Sequence, residues 1–439
     1  MGITVMRTGG RWGLWLCGCG LLLSGCGGGR DQNDGWPELP GAEPPSRAAA
    51  REPQALGELP EAGRGEARGA VLGFTPRAEL ALFDSATGAV VATAGAAGHA
   101  LERDLAFDHR HERALVLESD AEGSASEIWS YPLRVDQAGR PALGTRQHRA
   151  SLEGLGRIWP APDGLVVFEP SNGPRWRLLR DDGEAVASVL APLPLSVWGR
   201  EQAAGAELGA LGLAPEGAAA PLMVASAWLS EDAVDAFSLE PLWAHSAPPG
   251  GTPRMAPLPP DLRVACLAAP PEQGWCPDTS GLVLVGTQAG ALEFRLLGAE
   301  AEAAPSRATL ALPARFGHVV QVVVMPGLEP EGELLVAVLA AEPASLLVAA
   351  FAPGLELLDA ASTPLAGKLE LDERFFARAL LAVGGRRLLA ATSTGVHAVR
   401  VRLPAELDRS GGHLELELDS RFHGSSLRGP LGGPAFRIE

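Results

Sequence analysis

The sequence Asp104-Leu-Ala-Phe-Asp108 is followed, after a polar turn, by Ala114-Leu-Val-Leu117 and then by Glu127-Ile-Trp-Ser-Tyr-Pro-Leu133. Short apolar runs of this kind, bounded by Gly, Pro, Asp and Asn, are typical of β-strands. The same order returns in Arg157-Ile-Trp-Pro-Ala-Pro162, Leu165-Val-Val-Phe168 and Arg175-Trp-Arg-Leu-Leu179. The two stretches therefore predict a repeated unit built from strands.

Further copies of this unit follow at steps of about 50–60 residues. They lie around Leu211 with Leu222-Met-Val-Ala225 and Val234-Asp-Ala-Phe237, at Val264-Ala-Cys-Leu267 with Leu282-Val-Leu-Val285, at Val319-Val-Gln-Val322 with Leu334-Leu-Val-Ala337, and at Ala379-Leu-Leu-Ala382 with Leu388-Leu-Ala-Ala391. A period of this size in a strand-rich sequence is typical of β-propeller blades, each a four-stranded sheet.

Six copies are complete, and two pieces remain at the ends of the repeat region. The N-terminal piece contains Ala70-Val-Leu-Gly-Phe74 and Glu79-Leu-Ala-Leu-Phe83, and the C-terminal piece ends in Ala435-Phe-Arg-Ile-Glu439. A blade built from both pieces would leave no open sheet edge. We therefore predict an all-β, seven-bladed β-propeller over residues 69–439 whose termini close one blade; six or eight blades remain open.

One segment also resembles a known repeat family. The sequence Leu82-Phe-Asp-Ser-Ala-Thr-Gly-Ala-Val-Val-Ala-Thr93, followed by Asp104-Leu-Ala-Phe-Asp108, is similar to the YVTN-type propeller repeat with its Asp-x-x-Thr-Gly turn. In such a turn Asp84 is expected to accept hydrogen bonds from local backbone N–H groups, and Gly88 to adopt a positive φ. The other copies lack the motif, so the resemblance implies a fold and no activity.

The N-terminus has the layout of a secretory signal peptide, with Arg7 and Arg11 before an uncharged segment from Trp12 to Leu23. The ending Leu23-Ser-Gly-Cys26 resembles the lipobox of bacterial lipoproteins. This resemblance implies cleavage after residue 25, lipidation of Cys26 and, with Gly at position 27, the outer membrane. The alternatives are an ordinary signal peptide or a membrane-spanning helix, for which about 20 apolar residues are needed.

Residues 26–68 contain the lipidated cysteine and a segment rich in Gly, Pro, Glu, Ala and Arg. With few large apolar side chains, such a segment cannot bury enough surface to offset its ordering entropy. We interpret it as a disordered tether. About 40 flexible residues have a typical reach of about 35 Å.

Cysteine and charge limit the function classes further. The chain has five cysteines and a formal net charge of −17. In an exported protein Cys266 and Cys276 are expected to form a disulfide; two free thiols are the alternative, and zinc lacks a full ligand set. The negative charge disfavours nucleic acid as a partner, and no cofactor or metal is predicted.

The repeated unit also predicts where a ligand-binding site could lie. Residues just before the innermost strand of each blade would face the axis, and basic side chains recur there: Arg103, Arg157, Arg263, His318 and Arg374. Converging guanidinium groups could bind a carboxylate or phosphate, because arginine contacts such groups through two hydrogen bonds. The alternative is that each arginine pairs with a local acid such as Glu102, Asp104 or Asp372 and ties neighbouring blades together.

No sequence motif predicts catalytic residues. The stretch Asp108-His-Arg-His-Glu112 is the one histidine cluster, and we interpret it as a hairpin turn in preference to a metal site. We therefore predict a non-enzymatic, lipid-anchored scaffold in the cell envelope, facing the periplasm or the cell surface, that binds an envelope protein or a small anionic ligand. The alternatives are a propeller enzyme, lactonase-like or quinoprotein-like, that works in the axial funnel, and a purely structural envelope component.

Overall fold

The structure is a computed structural model. It describes residues 68–95, 101–109, 111–120, 124–136, 140–154, 156–161, 164–169, 175–190, 193–202, 205–213, 222–229, 238–241, 263–266, 282–297, 306–313, 315–325, 333–352, 355–369, 378–384, 386–403 and 413–438. The predicted signal peptide, lipidation site and tether lie outside these residues. The described part of the chain is all-β and contains no helix, so it holds no helix that could cross a membrane.

The described strands form seven antiparallel sheets. Sheet 1 contains β1 (Arg68–Phe74), β2 (Leu80–Asp84), β3 (Val90–Ala94) and β29 (Arg428–Ile438); sheet 2 contains β4 (Leu101–Asp108), β5 (Arg113–Ser119), β6 (Ala125–Val135), β7 (Pro141–Leu143) and β8 (Gln147–Glu153); sheet 3 contains β9 (Arg157–Ala161), β10 (Gly164–Glu169), β11 (Arg175–Arg180) and β12 (Ala185–Leu190).

Sheet 4 contains β13 (Leu193–Gln202), β14 (Gly205–Leu213), β15 (Leu222–Leu229) and β16 (Ser238–Pro241); sheet 5 contains β17 (Arg263–Cys266), β18 (Leu282–Gln288), β19 (Ala291–Leu297) and β20 (Ser306–Ala311). Sheet 6 contains β21 (His318–Met325), β22 (Leu334–Ala341), β23 (Ser345–Ala352) and β24 (Glu356–Pro364); sheet 7 contains β25 (Leu380–Val383), β26 (Arg387–Thr392), β27 (Gly395–Arg402) and β28 (Glu415–Leu418).

Sheet 1 joins the two ends of the described chain. Its strand order is β29-β1-β2-β3, and the register places Arg68 opposite Ile438 and Phe74 opposite Arg428. The prediction that strands from both ends of the repeat region share one sheet is therefore confirmed.

The middle strands are apolar on both faces because both faces are covered. In β22 every residue from Leu335 to Ala340 is buried, and in β23 every residue from Ser345 to Phe351. Strand β24, at the edge of the same sheet opposite β21, has no fully buried residue. A strand that is covered on both faces needs apolar side chains at every position, and not only at every second one.

The hydrophobic clusters lie between consecutive sheets. One joins sheets 1 and 2, one joins sheets 2 and 3, one joins sheets 5 and 6, and a fourth joins sheets 6, 7 and 1. Between sheets 5 and 6, for example, the rings of Phe294 and Phe351 meet edge-to-face at 4.9 Å. Burying one such side chain stabilises the fold by about 1.5–3 kcal/mol, so each sheet depends on its neighbours.

We call the strand at one edge of each sheet the lead strand: β29 in sheet 1, then β4, β9, β13, β17, β21 and β25. The lead strands of most neighbouring sheets contact one another. Strand β4 contacts β29 and β9, β17 contacts β13 and β21, and β25 contacts β21 and β29. These neighbouring sheets therefore contact one another along their lead strands.

The Asp84–Gly88 turn has the chemistry that the sequence predicts. The Asp84 carboxylate accepts hydrogen bonds from the N–H groups of Ala86 (2.7 Å) and Thr87 (3.0 Å), and Gly88 has a φ of 75°. A residue near the end of the chain also stabilises the turn: the N–H of His423 donates to the carbonyl of Thr87 at 2.8 Å. The segment between β28 and β29 therefore binds sheet 1 before the last strand begins.

Substitution of Gly88 by alanine tests this close contact. A Cβ at Gly88 would lie 2.9 Å from the carbonyl carbon of His423, in addition to the strain of its positive φ. We expect Gly88→Ala to lower the free energy of unfolding by about 2–4 kcal/mol. The matched control is Gly290→Ala, with a φ of 81° and no atom within 4 Å of the added Cβ, which should cost about 1–2 kcal/mol. Equal losses in urea unfolding would contradict the contact with His423.

Candidate functional site

Three of the five predicted ligand residues have side chains that the structure describes. Arg157, Arg263 and His318 are the first residues of the lead strands β9, β17 and β21. Arg103 lies in β4, but its side chain is outside the described residues, and so is the whole of Arg374.

Asp104 links sheets 2 and 3. Its carboxylate is buried, and it accepts hydrogen bonds from the N–H of Ile158 at 2.9 Å and from the N–H of Leu105 at 2.9 Å. The Nη1 atom of Arg157 lies 3.4 Å from the Oδ1 atom of Asp104. A buried carboxylate is stable only with such donors, so these contacts fix β4 against β9. Arg157 thus makes the kind of local ion pair that the pairing alternative predicts.

Arg378, which lies two residues before β25, connects sheet 7 to the same place. Its Nη1 atom donates to the carbonyl of Leu105 and its Nη2 atom to the carbonyl of Ile158. Nη1 also lies 3.7 Å from the Oδ1 atom of Asp104. We call Asp104, Arg157 and Arg378 the arginine–aspartate cluster. It brings together the lead-strand ends of sheets 2, 3 and 7.

The main chain of Arg378 extends these contacts to sheet 1, because its carbonyl accepts a hydrogen bond from the N–H of Leu431 in β29 at 2.6 Å. One residue therefore contacts three other sheets. Arg378 was not among the ligand residues predicted from the sequence; its position just before a lead strand was the available signal.

Gln321 makes the corresponding connection between sheets 6 and 7. Its Oε1 atom accepts hydrogen bonds from the N–H groups of Ala379 and Leu380, both at 2.8 Å, and its Nε2 atom donates to the carbonyl of Leu380 at 2.7 Å. Asp104 and Gln321 therefore have similar roles. Asp104 accepts one main-chain N–H from the next lead strand, that of Ile158, and Gln321 accepts two, those of Ala379 and Leu380.

Both side chains follow an irregularity of the lead strand. The register of β4 shifts between Glu102 and Asp104, and that of β21 shifts between Val319 and Gln321. A β-bulge changes the direction in which the following side chain points. The bulges therefore place Asp104 and Gln321 in equivalent positions. Strand β13 has the same kind of shift, between Pro194 and Ser196.

Arg263 contacts a different sheet. Its Nε atom donates to the carbonyl of Val320 in β21 at 3.0 Å, so it binds sheet 5 to sheet 6. His318 is half-buried at the start of the same strand. Of the predicted ligand residues, the structure thus brings Arg157 into the arginine–aspartate cluster and places Arg263 against the main chain of sheet 6.

His109, His111 and Glu112 lie in the turn between β4 and β5, as interpreted from the sequence. Asp108 accepts hydrogen bonds from the N–H of His111 (3.2 Å), from its Nδ1 atom (2.9 Å) and from the Nε atom of Arg113 (2.8 Å). Among the described residues there is no group of three histidine, cysteine or acidic side chains arranged to hold a metal ion.

A second ionic group lies where sheets 2 and 3 meet. Arg113 also binds Asp181, and the Nη1 atom of Arg149 donates to the carbonyl of Asp181 at 3.0 Å. Burial alone would raise the pKa of Asp181, but Arg113, Arg149 and His111 outweigh burial and lower it. The adjoining cleft has a cavity volume of about 10 Å³, enough for about one water molecule. We interpret this group as an inter-sheet contact.

A third ionic group binds sheet 7 to sheet 1. Asp419, whose side chain is 5% exposed, contacts Arg387 and lies 3.1 Å from the Nε atom of Arg400. Arg387 in turn donates to the carbonyl of Ser85 at 3.2 Å. Burial alone would raise the pKa of Asp419, but the N–H of Arg421 and the two guanidinium groups outweigh it, and the pKa is lowered.

This lowered pKa predicts a pH-dependent contribution to stability. The ionised Asp419 stabilises the fold above the ordinary aspartate pKa of about 3.9, and this contribution is lost as the pH falls through the lowered pKa of the folded state. We expect Asp419→Asn to reduce the free energy of unfolding by about 2 kcal/mol at neutral pH. The loss should shrink below about pH 4.

Urea unfolding at several pH values measures this effect, with Asp182→Asn as the control, because Asp182 is an exposed residue in the turn before β12. A constant difference between wild type and Asp419→Asn down to low pH would show that the ionised form of Asp419 is not what stabilises the contact.

The predicted disulfide lies outside the described residues. Cys266 ends β17, but its side chain is not described, and neither is Cys276. The described residues contain no disulfide, and the pairing stays a prediction.

No family model and no curated protein matches the chain. Similar solved structures include a functionally unknown protein from Desulfotomaculum acetoxidans, with 11% identity, a TM-score of 0.45 and coverage of 82% of this chain and 99% of that one. Apo AztD from Citrobacter koseri has 11% identity, a TM-score of 0.39 and coverage of 84% and 97%. A protein of unknown function from Bacteroides caccae has 10% identity, a TM-score of 0.32 and coverage of 68% and 94%. Similarities this distant assign no activity to the chain.

Proposed function

We propose that the seven sheets form a closed seven-bladed β-propeller that serves as a lipid-anchored binding scaffold in the cell envelope. The observation that carries the proposal is the position of β29. It pairs with β1 in sheet 1, and it contacts both β4 of sheet 2 and β25 of sheet 7. Sheet 1 thus supplies the link between the first and last complete repeats, as closure of a ring requires.

The contacts of the lead strands support a rigid scaffold. Asp104, Gln321 and Arg378 hold neighbouring lead strands through main-chain hydrogen bonds. Loops carried by such a framework keep their positions and can present a binding surface. The partner we propose is an envelope protein or a small anionic ligand. No contact among the described residues specifically favours the enzyme alternative.

The lipid anchor is tested by substitution of Cys26. We expect the wild-type protein to incorporate radiolabelled palmitate and to sediment with the outer membrane, and Cys26→Ser to do neither, because several acyl chains on one residue hold far more strongly than a single chain. Cys266→Ser is the control and should retain both properties. Palmitate incorporation by Cys26→Ser would contradict lipidation at this residue.

The scaffold itself is tested by chemical cross-linking in intact cells followed by affinity purification. We expect a reproducible envelope partner with the wild-type chain and its loss with a chain truncated after Leu427, which should not form the propeller. Recovery of the same proteins with both chains, or of none with either, would contradict binding of an envelope protein.

A further inference from the structure

We propose that Arg378 binds a small oxyanion, a carboxylate or a phosphate, through the N–H groups of its guanidinium group that make no hydrogen bond to a described residue. This proposal rests on the proposed scaffold function, which gives the class of ligand, a small anion. It adds the residue that binds this ligand. The guanidinium group of Arg378 has five N–H donors in a planar fork.

The protein uses only part of this fork. One N–H of Nη1 and one N–H of Nη2 donate to the carbonyls of Leu105 and Ile158. The Asp104 oxygen is 3.7 Å from Nη1, beyond the usual length of a hydrogen bond. Nε and the remaining hydrogens make no hydrogen bond to a described residue, and the side chain of Arg378 is 22% exposed.

Among the described residues, the charge of Arg378 is also incompletely matched. The carboxylate of Asp104 already accepts two main-chain N–H groups and lies closer to Arg157, at 3.4 Å, than to Arg378. The other contacts of the Arg378 side chain are neutral carbonyls. A partly buried guanidinium group without a hydrogen-bonded acid is stabilised by an external anion.

The two carbonyl contacts hold the fork in place before a ligand arrives. Leu105 and Ile158 belong to lead strands of different sheets, so their carbonyls fix the plane of the guanidinium group. A preorganised donor pair loses less side-chain entropy on binding. Two anionic oxygens match the fork of arginine, and a carboxylate and a phosphate share this chemistry.

Protection from phenylglyoxal, which modifies accessible arginines, tests the proposal on the wild-type mature protein. The reaction is run in sodium chloride, sodium acetate or sodium phosphate at equal ionic strength, and modification is measured residue by residue by mass spectrometry. We expect acetate or phosphate to slow modification of Arg378 several-fold relative to chloride. The salt that protects identifies which oxyanion is bound. The exposed Arg315 is the internal control and should react at the same rate in all three salts.

Equal rates for Arg378 in all three salts would overturn the inference, and so would an Arg378 that never reacts, because a group closed to small molecules cannot bind the anion. Either result would leave the palmitate and cross-linking experiments unaffected. Failure of the oxyanion site can therefore be distinguished from failure of the scaffold.

Discussion

A chain truncated after Leu427 is expected to lose cooperative folding. The truncation removes β29, which pairs with β1 along its whole length and carries the buried Leu431. It uncovers one edge of β1, where Ala70 and Leu72 are fully buried. It also removes the contacts of β29 with β4 and β25. Domains are stable by only about 5–15 kcal/mol, and we expect a loss of that size.

Urea unfolding followed by tryptophan fluorescence and near-ultraviolet circular dichroism measures the effect. Addition of a synthetic peptide of residues 428–438 should restore a cooperative transition, because the missing strand has a defined register against β1. The same peptide with Leu431→Asp is the control and should restore little. A truncated chain that unfolds like the wild type would show that β29 is not required, and the closed propeller would have to be abandoned.

The sequence predicts the parts of this fold that depend on composition and local turn chemistry. The apolar runs at Leu165–Phe168 and Leu388–Ala391 lie in strands, and Asp84 and Gly88 form the expected turn. These features depend on a few adjacent residues. Strand β13 was missed because Leu193–Gln202 mixes Pro, Gly and charged residues with apolar ones, so it lacks the continuous apolar run used to find strands.

The arginine–aspartate cluster could be predicted only in part. The position of Arg157 at the start of a lead strand and its pairing with Asp104 follow from the repeat and from opposite charge. The direction of the Asp104 and Gln321 side chains depends on β-bulges, which are set by strand register. The contact of Arg378 with Leu105 joins residues 273 positions apart. Neither a register shift nor such a distant contact leaves a periodic signal in the sequence.

Substitution of Asp104 should have the largest effect of any single residue in the cluster. Asp104→Ala removes the acceptor of the Ile158 N–H. It also removes the carboxylate that pairs with the guanidinium group of Arg157, whose side chain is only 9% exposed. Breaking a buried ion pair by removing one partner costs about 3–5 kcal/mol. We therefore expect Asp104→Ala to lower the free energy of unfolding by that amount in urea titrations.

Comparison with Gln321 separates the charge of Asp104 from its hydrogen bonds. Gln321 also binds the N–H groups that begin the next lead strand, but it is neutral. Gln321→Ala should therefore cost only about 1–3 kcal/mol, the cost of leaving buried groups without their hydrogen bonds. Asp104→Asn, which keeps an oxygen acceptor and loses the charge, should fall between the two alanine variants. If Asp104→Ala cost no more than Gln321→Ala, the charge of Asp104 would contribute nothing, and the cluster would be a set of main-chain contacts in which the arginines play no electrostatic part.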